Sequence, residues 1–186
     1  MMQMLEQKHM ALLAEAERRE RAPTDNIRAC FELLALTGAI DRDCAVRLAR
    51  HRLSEGKFVL LFLLHDKPEG LSPHELAERA GVTRATITGL LDGLERDGFI
   101  VRRGGLSDRR KIAVALTEVG QTAAGELFRE HTEWVASLFQ GFTAADRQTL
   151  TGLLQRIWRN LETGKQQAGQ ERAGKQQIGQ DEDARA

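Results

Sequence analysis

The sequence predicts a mainly α-helical fold with a small β-hairpin wing, a helix-turn-helix and wing flanked by N- and C-terminal helices. Three observations predict it. Apolar residues recur with a helical period over most of the 186 residues. The stretch "LSPHELAERAGVTRATITGLLDGLERDG" carries start and stop signals for two short helices joined by a glycine turn. Behind it, "FIVRR" and "KIAVAL" are short, rich in β-branched residues and separated by "GGLSDRR", which is the pattern of a hairpin.

Each element has a local reason. From Met4 to about Arg21, Leu5, Leu12 and Leu13 sit among charges, and Pro23 stops this helix. Thr24 can cap the next at "TDNIRACFELLALTGAI", and a third is expected through "DRDCAVRLARHRL". Ser54 can cap "EGKFVLLFLLHD", whose nearly all-apolar centre should be buried. Ser72, Pro73 and Glu75 form a capping box, with the proline at the first helical position, where its missing N–H does no harm. Leu76, Ala77 and Ala80 give that helix an apolar face. Gly81 permits the turn, and Thr83 caps a second helix with Ile87, Leu90, Leu91 and Leu94 turned inward. Gly98 can stop it.

Thr117 begins a long helix, and the last one carries Leu150, Leu153, Leu154, Ile157, Trp158 and Leu161 on a single stripe. That stripe offers more apolar surface than a terminal helix needs, so it packs either within its subunit or against a second copy. Beyond it, "GKQQAGQ" returns ten residues later as "GKQQIGQ". This polar, glycine-interrupted tail is expected to be disordered or to fray.

Composition closes several routes. The 27 basic and 27 acidic residues cancel, so only a local concentration of charge can name a partner. Aromatics are 5% of the chain, with no tyrosine, which argues against a surface that stacks single-stranded bases. No apolar run is long enough to span a bilayer, and the N-terminus lacks the pattern of a secretory signal, so a cytoplasmic protein with no membrane partner is expected. Cys30 and Cys44 form no disulfide framework, and histidines 9, 51, 65, 74 and 131 show no ligand spacing, so no metal or cofactor is expected. With no nucleophile elbow, phosphate loop or metal motif, an enzyme is not expected.

The chemistry that remains is nucleic-acid recognition. A helix-turn-helix followed by a hairpin is a winged helix, whose second helix suits the major groove and whose wing can reach the adjacent minor groove. Around that hairpin Arg102, Arg103, Arg109, Arg110 and Lys111 face a single acid, Asp108, a local net charge of +4. A solvated hairpin is the alternative reading of the run. Arg84, Thr86 and Thr88 fall away from the inward face of their helix, where Arg can read guanine and Thr can meet a phosphate or a thymine methyl. Gly89 would allow close approach of the backbone. Ser72 and Thr83 are caps that could also meet phosphate, and Thr86 could equally be a simple helix-start residue.

The stretch "LSPHELAERAGVTRATITGLLDGLERDGFIVRRGGLSDRRKIAVALTEVG" resembles the winged-helix core of the MarR family (multiple antibiotic resistance regulators). The family wing carries Asp-x-Arg followed by Leu-Thr-x-x-Gly, here Asp108, Arg110, Leu116, Thr117 and Gly120. The resemblance runs from about Ile27 to Leu161. It implies a MarR-type domain over 24–163 with its winged helix at about 55–116 between dimerisation helices, which leaves the N-terminal helical extension over 1–23 and the polar tail, expected to be disordered, over 164–186 outside it. It also implies a homodimeric repressor on a pseudo-palindromic double-stranded operator, with Arg110 in or near the minor groove and Asp108 bracing the wing.

Release by a small, often aromatic, ligand is the family habit that the resemblance suggests. By position Cys30 resembles the reactive cysteine of hydroperoxide-sensing members, so a redox-responsive regulator is the alternative. Those members hold the thiolate with tyrosines, which this chain lacks. Asp41, Arg42, Asp43, Arg47 and His51 either line a pocket for an anionic ligand or form a solvated helix face. A winged-helix module that binds protein rather than DNA is the remaining alternative.

Overall fold

The computed structural model describes residues 6–19, 24–104 and 112–183, with 168–183 described as backbone alone. In chain order the elements are α1 (Gln7–Arg18), α2 (Thr24–Ala49), α3 (Glu55–His65), α4 (Pro73–Ala80), α5 (Arg84–Arg96), β1 (Ile100–Gly104), β2 (Ile112–Leu116), α6 (Glu118–Leu138) and α7 (Ala144–Asp183). They divide into two compact units, 1–131 and 132–186.

The first unit holds the helix-turn-helix and wing. Its core gathers Leu60, Leu61 and Leu64 of α3, Leu76 of α4, Leu91 and Leu94 of α5 and Val114 of β2, each almost fully buried. Fully burying a leucine stabilises by about 1.5–3 kcal/mol, so this layer dominates the unit's stability. The wing is a two-stranded antiparallel sheet in which Ile100 pairs with Leu116 and Gly104 with Ile112.

One pairing has no signal in the sequence. Leu71, in the loop before α4, exchanges both backbone hydrogen bonds with Val114, at 2.9 and 2.8 Å. The loop therefore lies against β2 like a third strand. Gly70 makes this possible: its φ is +79°, and a β-carbon there would stand 2.4 Å from the Val114 carbonyl oxygen.

One expectation is corrected. The separate helices read on either side of Asp41 are one helix, α2, running unbroken from Thr24 to Ala49. Gly38 and Asp41 each lower helix propensity by about 1 kcal/mol or less, too little to break a helix whose neighbours pack. Asp43 and Arg47, one turn apart with their charged groups 3.0 Å from each other, help carry it through.

In the tail, expected to be disordered or to fray, the backbone of α7 stays helical to Asp183. Gln, Glu, Lys, Arg and Ala are all good helix formers, and here they outweigh glycines whose cost is about 1 kcal/mol each.

In the second unit, Gly141 with φ +86° makes the turn before α7. Thr143 and Asp146 then cap α7 reciprocally: the Asp146 amide donates to the Thr143 hydroxyl at 3.1 Å, and the Thr143 amide donates to the Asp146 carboxylate at 2.8 Å. The stripe on α7 is open to solvent, with Trp158 64% and Leu161 51% exposed.

Candidate nucleic-acid interface

The site is built from helix ends. Ser72 accepts from the Glu75 amide at 3.2 Å, and Glu75 accepts from the Ser72 amide at 2.8 Å, which completes the capping box of α4. The Ser72 backbone N–H, and then its hydroxyl, hold the Glu75 carboxyl below the usual glutamate range. Gly81, at φ +65°, turns the chain, and the Thr83 hydroxyl accepts from the Thr86 amide at 3.2 Å to start α5. Ile87, Leu91 and Leu94 point into the core, and this leaves the opposite face of α5 outside.

That outer face carries what the sequence predicted. Arg84, Thr86, Thr88 and Gly89 are all exposed, and nothing stands within 4 Å of where a Gly89 β-carbon would lie. Arg84 has no ion-pair partner among the described residues. The Thr88 hydroxyl donates to the Arg84 carbonyl at 2.9 Å, which leaves its methyl group and oxygen lone pairs available. Thr83 and Thr86 are turned towards each other, their hydroxyls 2.9 Å apart, as a helix start requires.

Arg84, Ile87 and Thr88 line a groove of about 770 Å³ together with Ser72, His74 and Ile112. The structure thus brings Ser72, Arg84 and Thr88 to one groove. His74 was missed by sequence reasoning, because a lone histidine in the first turn of a helix carries no pattern. Ile112 was missed because only the hairpin register brings the start of β2 beside α5.

The wing's charge is divided. Arg102 is committed to α5, its guanidinium 2.5 Å from Asp92 and 3.1 Å from Glu95. It is therefore a tie between wing and helix, not one of five free cations. Arg103 beside it is exposed and has no ion-pair partner among the described residues. Asp108, Arg109, Arg110 and Lys111 lie outside the described residues.

The other candidates separate in the same way. Arg42 reaches back towards Glu6 of the segment before α1, and Arg47 pairs with Asp43. His51 meets Glu130 of α6 at 3.1 Å. The cleft that Arg47 and His51 share with Leu48, Leu127, Glu130 and His131 holds only about 10 Å³, too little for an organic anion.

Cys30 is exposed and Cys44 half-buried. Burial, then Glu55, Asp41 and Asp43, push the Cys44 thiol up, which keeps it protonated and unreactive. The two sulfurs belong to one continuous helix and are separated along it by about 21 Å, so they cannot join in an intramolecular disulfide. Among the described residues, no three His, Cys, Asp or Glu side chains gather as a metal site would require. No helix there is long and apolar enough to cross a membrane.

A capped helix-turn-helix, a paired wing and an outward Arg/Thr face define a winged-helix DNA-binding regulator. Comparison with known proteins makes this specific. The MarR family model matches residues 53–112. The HTH-type transcriptional repressor YetL of Bacillus subtilis is 41% identical over 114 residues, covering 61% of this chain and 68% of that protein. The homoprotocatechuate degradative operon repressor of Escherichia coli is 34% identical over 106 residues, covering 57% and 71%.

Among solved structures, Streptococcus pneumoniae FabT in complex with DNA superposes with a TM-score of 0.61 at 23% identity, over 73% of this chain and 96% of that one. The S. aureus MepR–DNA complex does so with 0.60 at 18% identity, over 69% and 94%. At these identities the two structures establish the fold. The chain belongs to the MarR family and is a transcriptional regulator, not an enzyme.

Proposed function

We propose that this chain acts as a homodimeric repressor that sets two copies of α5 into successive major grooves of a pseudo-palindromic operator. The observation that carries the reading is the two-faced character of α5. Ile87, Leu91 and Leu94 are sealed in the core while Arg84 and Thr88 line an open groove beside the N-terminus of α4. Arg84 reads a base edge, Thr88 touches a base or phosphate, and the amides at the start of α4, around Ser72, favour a phosphate. In this reading the wing cations, Arg109 and Arg110 with Arg103, follow the backbone into the minor groove, and Asp108 braces them.

The winged helix occupies about 55–116, between helices that pair two copies. The exposed stripe of Leu154, Ile157, Trp158 and Leu161 supports that pairing, because a soluble chain seldom leaves so much apolar surface open. Each of the two repressors compared above carries repression in its name, which supports repression here. Release from DNA is ascribed to a small ligand that alters the dimer. The redox alternative rests on Cys30, an accessible thiol on α2.

The experiment is selection of duplexes from a randomised library, followed by fluorescence anisotropy on the enriched sequence and by light scattering. Arg84→Ala should weaken the enriched duplex by about 1–3 kcal/mol and relax one position of each half-site. Arg110→Ala should weaken it by a similar amount, and both variants should remain dimeric. Failure of the wild-type chain to enrich any duplex would reject the reading. Binding that is unchanged after peroxide treatment would reject the Cys30 alternative.

A further inference from the structure

Lys57 stands in the first turn of α3, and its ammonium lies 2.6 Å from the carboxylate of Asp97, the residue that ends α5. The Lys57 side chain is 16% exposed and that of Asp97, at the surface, 29%. The lysine stem crosses α5 at Gly93, which is itself buried. A β-carbon on Gly93 would stand 2.7 Å from Lys57 Cε and 3.0 Å from its Nζ. The missing side chain of Gly93 is thus the channel through which Lys57 reaches Asp97.

This contact does something that the apolar core cannot. Ile87, Leu91 and Leu94 hold α5 by burial, which is non-directional. An ion pair laid over a glycine adds a directional contact at one end of the helix. From the wing side Arg102 grips Asp92 and Glu95 of the same helix. The C-terminal half of α5 is therefore held by α3 and β1, while Arg84 projects about 20 Å away along the axis.

We propose that Lys57, laid over Gly93 onto Asp97, is a positioning residue: it sets the roll and depth of α5 and so the reach of Arg84 and Thr88 into DNA. It touches no DNA itself, because its charge is committed to Asp97 within the fold. The inference rests on the reading of α5 as the recognition helix.

The test compares two probes, the duplex that wild-type protein enriches from a randomised library and a scrambled duplex of the same composition. Lys57→Met should weaken the enriched duplex roughly tenfold. Affinity for the scrambled duplex, and the slope of log K against log salt, should stay as in wild type. Gly93→Ala, which obstructs the channel, should produce the same loss and add nothing in the Lys57→Met background. Lys57→Arg, whose guanidinium is bulkier over Gly93, should recover only part of the discrimination.

Discrimination that survives Lys57→Met overturns the positioning role. So does equal weakening of both duplexes with a shallower salt slope, which would make Lys57 a phosphate contact. Should Lys57→Met fail to fold, Asp97→Asn removes only the charge, and wild-type discrimination in that variant overturns the role equally. A wild-type chain that enriches no duplex rejects the DNA-binding reading, and the positioning role with it.

Discussion

A β-carbon on Gly120 would lie 1.9 Å from the carbonyl oxygen of Phe99, so the first turn of α6 rests directly on the backbone that enters the wing. Thr117 completes the joint. Its hydroxyl donates to the Gly98 carbonyl at 2.8 Å and accepts from the Gly120 amide at 3.0 Å, while its own amide donates to Phe99 at 3.0 Å. The Leu-Thr-x-x-Gly stretch is thus a mechanical coupling: threonine caps the helix and ties it down, and glycine lets it come close.

Replacing Gly120 by Ala should therefore cost about 2–4 kcal/mol, because backbone must move to admit one methyl group. Urea unfolding would show the midpoint falling with an unchanged slope. A midpoint equal to that of wild type would contradict the close approach.

The two wing arginines should behave differently. Arg102 is held by Asp92 and Glu95, so Arg102→Gln should leave the slope of log K against log salt near the wild-type value. Arg103→Gln should reduce that slope by about 0.9 for each subunit that binds, one phosphate contact apiece. Equal slopes for the two variants would show that the charge of the wing is not divided as described.

Acid should loosen the fold through its paired carboxylates. The Ser72 amide holds the Glu75 carboxyl down, the Lys57 ammonium does so for Asp97, and the Thr143 hydroxyl for Asp146. A carboxyl whose folded pKa is depressed contributes stability above its unfolded value, and this is lost as pH falls through the folded one. Stability should hold at neutral pH and decline below about pH 4. Glu75→Gln should be less stable than wild type at pH 7, and the two should converge on acidification. A gap that stays constant with pH would rule out the capping carboxylate as the cause.

Deleting 164–186 should leave the proposed dimer intact. The glycines of this segment recur at every fifth residue from Gly164 to Gly179, a spacing that winds around a helix instead of building one face. Without a face, the tail offers little to pack. Light scattering that gives a monomer after truncation would refute this.

Much of the fold was legible because its signals are local. The caps at Ser54, Ser72, Thr83 and Thr117 each involve a side chain and an amide three residues on, so the pattern shows in the sequence. The inward face of α5 was legible from its helical period. The break expected at Asp41 was misread because weak helix formers lower local propensity by small amounts, and propensity alone does not end a helix whose neighbours pack. His74 and Ile112 had no local signature at all.

By itself, then, the sequence determined where α3, α4, α5 and α6 start, which way α5 turns and where the wing's charge concentrates. All of these follow from backbone chemistry within a turn or two. Tertiary structure alone decided that Arg102 belongs to Asp92 and Glu95, that Lys57 reaches Asp97 over Gly93, and that Leu71 joins the sheet beside Val114. Those pairs are separated by between seven and forty-three residues in the chain, and a contact at such range depends on how the elements between its partners pack.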